Sequence, residues 1–186
     1  MEVDYKKFIG KIIILEANIA VGKSTLGKSL SRLLISKGLD VHFFPEQIPK
    51  KLFGLYTKNR QHMTRYAFPF QVIVARDRKQ VLKEAIRLAS ENKTVIIDRG
   101  LLGDYAFAYM QRKGGFFTDE EYEAYLDMVQ PENKLESPII LHVFLDCKPE
   151  EAFKRMLERN VPEEVEAYDL DYFQKVDRSH RDVLYD

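Results

Sequence analysis

Residues 17–25 read Ala17-Asn18-Ile19-Ala20-Val21-Gly22-Lys23-Ser24-Thr25. They follow a short apolar run and open a helical pattern, the setting that a phosphate-binding G-x-x-x-x-G-K-[ST] loop requires. In such a loop successive backbone N–H groups and the start of the helix face anionic oxygens. Lys23, expected as an exposed loop lysine, would neutralise the β and γ phosphates of a nucleotide, and the Ser24 hydroxyl would reach magnesium. Asn18, Ile19, Ala20, Val21, Gly22 and Thr25 complete the expected nucleotide-binding element. Ala17 stands where the pattern has its first glycine, so its methyl group is expected to crowd the loop or narrow its backbone choices.

Three further groups could act on a phosphate held there. Glu46 follows a predicted strand and has the chemistry of a general base for an attacking hydroxyl; a solvated loop glutamate is the plain alternative. Asp98-Arg99 ends another strand, as a site pair or as a structural ion pair. Arg155 and Arg159 lie four apart on a helix predicted from Pro149, so both can face one ligand or solvent.

The elements that must position these groups are legible. Ile12 to Leu15, Val95 to Ile97 and Ile139 to Leu145 are apolar, largely β-branched runs, expected as strands buried on both faces of a parallel sheet. Val41 to Phe44 is a weaker strand, introduced by Gly38 closing the helix that begins near Lys23. From Phe70 to Ser90 the period is helical, with Val74, Val81, Ala85 and Leu88 on one face. Phe68 and Phe70 read as packing residues of that amphipathic helix. Thr118 and Glu121 form a capping box, and Pro131 is expected to stop the helix it opens. Alternating strands and helices predict an α/β fold. Parallel strands share one C-terminal edge, where ligands bind. The segments after the strands are Glu16 to Thr25, Pro45 to Gln47, Asp98 to Gly100 and Asp146 to Lys148.

The chain of 186 residues is expected to form a single domain. Its 29 basic and 29 acidic residues cancel, so no net field draws it to nucleic acid or to a membrane. No run approaches a membrane span, and the opening residues do not form a signal peptide. Cys147 is the single cysteine, expected as a buried small hydrophobe in a reducing compartment. Cytoplasmic location is the simplest expectation.

Glu16-Ala17-Asn18-Ile19-Ala20-Val21-Gly22-Lys23-Ser24-Thr25 closely resembles the loop of deoxyribonucleoside kinases, usually E-G-N-I-A-x-G-K-S-T. Pro45-Glu46, Phe70-Gln71, Asp98-Arg99 with Asp104, and Arg155 to Arg159 follow in the family's order, and the likeness runs from about Lys11 to Leu184. It implies a P-loop kinase fold: a parallel β-sheet flanked by helices on both faces, with a short arginine-containing lid at about residues 155–168. It also implies ATP, Mg2+, a deoxynucleoside substrate phosphorylated on its 5′-hydroxyl, and a homodimer.

By that resemblance Glu46 is the base, Arg99 sits by the 5′-oxygen and phosphates, and Asp98 joins Ser24 near magnesium. Arg155 and Arg159 close over the transferring phosphate, although Val161 stands where many lids carry another arginine. Gln71 would bond the base. Tyr56 is the candidate for a sugar hydroxyl, four residues further from Gln71 than in relatives, and Glu164 or Glu163 for the 3′-hydroxyl. Arg78, seven residues after Gln71, lies two turns along the same helix face. With Asp104 it matches a pair beside the base in kinases that accept cytosine or purine nucleosides. Relatives commonly continue into a fifth strand and an adenine loop, whereas this sequence ends at Tyr185-Asp186.

Two rival readings stand beside this one. Ala75 to Gln80 and Asp98-Arg99 also resemble thymidylate kinases, which phosphorylate a nucleoside monophosphate. Ala17 and the early end of the sequence suggest instead a nucleotide-binding module without phosphotransfer.

Overall fold

A computed structural model of the chain describes residues 3–129 and 139–185. Four parallel strands, β1 (Ile12–Glu16), β2 (Val41–Phe44), β3 (Thr94–Asp98) and β4 (Ile140–Phe144), lie in the order β2-β3-β1-β4. The register sets Ile13 of β1 between Ile96 of β3 and Leu141 of β4. The central strands β1 and β3 are buried throughout, as their apolar runs predict. Burial on both faces fails for β4. It is an edge strand, and Leu141 and Val143 are 40% and 39% exposed.

Helices α1 (Lys23–Ser36), α2 (Lys50–Thr57), α3 (Arg60–Ser90), α4 (Leu101–Lys113) and α5 (Asp119–Val129) precede β4 in the chain. After β4 come α6 (Pro149–Arg159), α7 (Pro162–Ala167) and α8 (Leu170–Tyr185). Alternate residues of β1 feed two cores. Ile13 and Leu15 pack with Leu34, Leu39 and Ile96 on the α1 side. Ile12 and Ile14 join the larger core with Val74, Ala85 and Leu88 of α3 and Phe173 of α8. The period-2 strand pattern thus separates the two helical layers.

Helix α1 ends as expected at Gly38, whose φ of +85° lets Leu39 N–H return to the Leu34 carbonyl at 3.2 Å. The expected helix from Phe70 starts ten residues earlier and runs through Pro69. Asn59 caps it by accepting the His62 N–H at 2.9 Å, and buried Met63 and Ala67 anchor the added turns. The Thr118-Glu121 capping box forms in both directions, at 2.9 and 3.1 Å. Pro131 lies outside the described residues. Cys147 is half-buried, not buried, in the turn into α6. No helix among the described residues is long and apolar enough to cross a membrane.

Candidate active site

The loop between β1 and α1 opens on the C-terminal edge of the sheet. Its turn uses left-handed backbone at Gly22 (φ +107°), the residue capping α1, and at Ala20 (φ +58°). Ala17 does not crowd the loop: its φ is not positive, and its methyl is fully buried in the larger core. The position that carries backbone strain is Ala20. Lys23 is buried rather than exposed, with 6% of its surface accessible and Nζ 3.5 Å from the Asn18 carbonyl. Burial, reinforced by the charge of Arg99, pulls its pKa down to about 8. Asn18 faces α8, donating to the Phe173 carbonyl at 2.9 Å while its Oδ1 accepts the Ile19 N–H at 2.7 Å. Ile19, Ala20, Gly22, Lys23, Ser24 and Thr25 line a cavity of about 400 Å³; Asn18 and Val21 do not.

Ser24 Oγ donates a short hydrogen bond to Oδ2 of Asp98, which the end of β3 carries beside the loop. Asp98 is 1% exposed, and its other oxygen, Oδ1, is buried with no partner among the described residues. A hydroxyl beside a buried carboxylate with an unsatisfied oxygen is the hard-oxygen donor set that suits Mg2+. Asp98 lines a second groove of about 360 Å³ rather than the main cavity, while its partner Ser24 lines the main one.

Glu46 follows β2 and meets two arginines. Its Oε1 accepts from Arg99 Nε at 2.8 Å and from Arg78 Nη2 at 3.0 Å. Burial alone would raise the Glu46 pKa, but the charges of Arg99, Lys23 and Arg78 prevail and hold it well below the usual carboxylate range. Its Oε2 has no hydrogen-bond or ion-pair partner among the described residues, and Glu46 lines the cavity. Arg99 itself sits at φ +69°, where the chain turns from β3 into α4. Its Nη1 donates to the Ala17 carbonyl at 2.8 Å and lies 3.5 Å from His180 Nε2. The Val176 carbonyl, 2.9 Å from His180 Nδ1, fixes the tautomer that leaves Nε2 as the acceptor. Burial and then the Arg99 charge push the His180 pKa down to about 3, so the ring is neutral.

Behind Glu46 the carboxylate Glu16 is buried at the end of β1, its pKa raised by burial. It accepts the Gly100 N–H at 3.1 Å where α4 begins. A Cβ on Gly103 would fall 2.2 Å from Glu16 Oε2, so only glycine lets this turn of α4 approach β1.

The inner wall of the cavity is a polar network between α3 and α4. Asp104 Oδ1 accepts from Gln71 Nε2 at 2.7 Å and from Arg78 Nε at 3.3 Å, and Oδ2 accepts from Tyr125 at 2.9 Å. Burial raises the Asp104 pKa against the opposing charge of Arg78. Gln71 also donates to the Asp104 carbonyl at 3.1 Å. Tyr56, 2% exposed, accepts from Gln111 Nε2 at 3.2 Å and stacks on Phe70 with ring centroids 5.0 Å apart. Phe70 therefore packs and lines the cavity at once, whereas Phe68 only packs, edge-on against Phe117.

Across the cavity, Arg155 donates from Nη1 to the Val21 carbonyl at 3.3 Å and pairs with Glu151. Arg159 makes a short ion pair with Glu164 of α7. All of Arg155, Arg159 and Glu164 line the cavity, while Glu163 is exposed and does not.

A sequence profile described as deoxynucleoside kinase matches residues 13–186. The chain belongs to the deoxynucleoside kinase family. Among its relatives, the deoxyguanosine kinase of Dictyostelium discoideum is 28% identical over 176 residues, 94% of this chain and 59% of the relative. The chain thus spans somewhat over half the length of that enzyme. A thymidylate kinase of Desulfotalea psychrophila is 38% identical over 115 residues, 60% of this chain and 54% of the relative. The solved deoxyadenosine kinase of M. mycoides with bound dATP has the same fold, with a TM-score of 0.73 at 22% identity. The match covers 92% of this chain and 82% of that structure.

Glu46, Tyr56, Gln71, Arg78, Arg99 and Asp104, all expected in the site from the sequence, come together in one cavity. Not expected were Gln111, Phe107, Tyr168 and Tyr172, which line the same cavity, and His180 behind Arg99. Gln111 had a readable signal: it stands seven residues, two helical turns, beyond Asp104 on α4. His180, Tyr168 and Tyr172 had none, because only the packing of α7 against α2 and of α8 against α4 and α6 brings them in.

Proposed function

We propose that the chain transfers the γ-phosphate of ATP to the 5′-hydroxyl of a deoxyribonucleoside, giving a deoxynucleoside monophosphate. One observation carries this reading. A single cavity runs from the phosphate loop, Gly22 to Thr25, past Glu46 and Arg99 to the amide and carboxylate wall of Gln71 and Asp104. That length holds phosphates at one end and a nucleobase at the other, with a carboxylate and a guanidinium between them.

Backbone N–H groups of residues 20–24 and the Lys23 ammonium would bind the β and γ phosphates. Ser24 and Asp98 would hold Mg2+, which supplies charge neutralisation on the phosphoryl oxygens. The 5′-oxygen forms the new bond to phosphorus as the bond to the β–γ bridging oxygen breaks and ADP leaves. Glu46 Oε2 accepts the hydroxyl proton. The surrounding cations make Glu46 a weak base. Phosphates that share Arg99 and Lys23 with it raise its basicity. Arg155, which reaches the loop at the Val21 carbonyl, and Arg159 would act on the charge of the transferring group.

The family likeness extends the proposal to a one-domain chain acting as a cytoplasmic homodimer in nucleotide salvage. A nucleoside monophosphate acceptor, the reading suggested by the likeness to thymidylate kinase, would need free cations where Glu46 already occupies Arg78 and Arg99. An ADP-release assay across deoxynucleosides and their monophosphates tests the proposal. ADP production with deoxynucleosides is expected. Turnover only with monophosphates supports the thymidylate kinase reading, and ATP binding without ADP release leaves a binding module.

A further inference from the structure

Gln111 is 1% exposed and lines the cavity, yet its Oε1 is buried without a partner among the described residues. The orientation of its amide is set by a relay. Gln71 Nε2 faces two acceptors of Asp104, the carboxylate Oδ1 at 2.7 Å and the backbone carbonyl at 3.1 Å. A backbone carbonyl only accepts, so Gln71 must present Nε2 there and its Oε1 on the other side. Gln71 Oε1 lies 3.4 Å from the Gln111 amide, which must answer with Nε2; the same Nε2 reaches Tyr56 Oη at 3.2 Å. Both N–H donors of each amide are consumed. What the two amides, both of residues that line the cavity, retain is acceptor capacity: the whole of Gln111 Oε1 and a lone pair of Gln71 Oε1.

We infer that Gln111 is a base-selecting residue whose Oε1 accepts an N–H from the nucleobase, so that the site favours bases bearing an exocyclic amine. The inference rests on the proposed nucleoside kinase reading and adds a residue to it. An unpaired buried acceptor is costly, and a ligand N–H relieves that cost. Adenine, cytosine and guanine each present an amine. Thymine presents two carbonyl oxygens around one N–H, and a carbonyl placed against Gln111 Oε1 sets acceptor against acceptor.

The test pairs a change in the protein with a change in the ligand. Wild type and Gln111→Met, a variant of similar size without the acceptor, are assayed with deoxyadenosine and purine 2′-deoxyriboside, and with deoxycytidine and its 4-deamino analogue. In wild type, removal of the amine is expected to lower kcat/KM by about tenfold in at least one pair. In Gln111→Met the same removal should change it by less than about threefold. An equal factor in both proteins overturns the inference, because a merely structural glutamine would shift all ligands together. If Gln111→Met does not fold, the wild-type pairs decide alone, and no penalty for losing the amine in either pair overturns it. If wild type releases no ADP with any nucleoside, the kinase reading fails. Calorimetric binding of the same pairs then decides on Gln111, a tenfold loss supporting it and equal affinity overturning it.

Discussion

Arg99 Nε and Glu46 Oε1 stand 2.8 Å apart, and the same oxygen receives Arg78. One carboxylate oxygen is thereby committed to holding two guanidinium groups, which leaves Oε2 for a ligand hydroxyl. Glu46→Gln keeps the size and one acceptor but loses nearly all basicity and the countercharge. Its kcat should fall by about 10² to 10⁴, the usual contribution of a positioned base, with a smaller change in ATP affinity. Steady-state kinetics with calorimetric ATP binding checks this; an unchanged kcat places the base elsewhere.

Lys23 carries a pKa of about 8 because burial and Arg99 oppose its charge. The charged form binds phosphate, so ATP affinity should fall as pH rises through 8, and binding at pH 8.5 should take up a proton. Calorimetry in buffers of different ionisation enthalpy reads that uptake directly, and Lys23→Met should abolish it. Lys23→Ala should lower turnover by about 10² to 10³, and circular dichroism should show the fold retained.

His180 is held neutral, with a pKa near 3 against an ordinary 6.5. The unfolded chain therefore binds a proton that the folded chain refuses. The stability this contributes is complete above pH 6.5 and is lost as pH falls from there toward 3. At its steepest one such group gives about 1.4 kcal/mol per pH unit. Urea midpoints measured between pH 7 and 4 should decline less steeply for His180→Gln than for wild type. Parallel curves would mean that His180 is protonated in the fold or that its site is open to water.

Most of the scaffold was legible because its signals are local. The β-branched runs, Gly38 and the Thr118-Glu121 box each declare a structure within a few residues. Failures came where tertiary position decides. The sequence of β4 resembles a central strand, and only its place at the sheet edge exposes Leu141 and Val143. Lys23 reads as an exposed loop residue, yet it is buried, and the charge of Arg99, 76 positions later, helps to tune it. In the site, residue types with strong chemistry were found by motif. Gln111 and the tyrosines of the C-terminal segment, whose types are common in any core, gained meaning only from what they touch.

Arg78 and Asp104 meet between α3 and α4 at 3.3 Å, both lining the cavity. The pair is a salt bridge between helices and also part of the wall a base would face. Asp104 does more than neutralise Arg78, because it fixes which way the Gln71 amide points. With Asp104 present, Gln71 Nε2 is spent on it and cannot donate to a carbonyl such as thymine O4. The Asp104 carboxyl, whose oxygens accept from Gln71, Arg78 and Tyr125, offers that oxygen no donor and adds repulsion toward it. Replacing both residues with alanine frees the Gln71 amide to turn and removes the repulsion. It also strips Glu46 of one guanidinium, so every substrate should lose turnover. The ratio is the informative quantity. Wild type should show higher kcat/KM with deoxyadenosine, deoxyguanosine or deoxycytidine than with thymidine. The double variant should move that ratio toward thymidine by about tenfold or more, the scale of one buried polar mismatch. Competition assays with equimolar nucleosides read the ratio independently of the overall loss. Thymidine as the best wild-type substrate, or a ratio unmoved by the double replacement, would reduce the pair to a structural bridge with no hand in choosing the base.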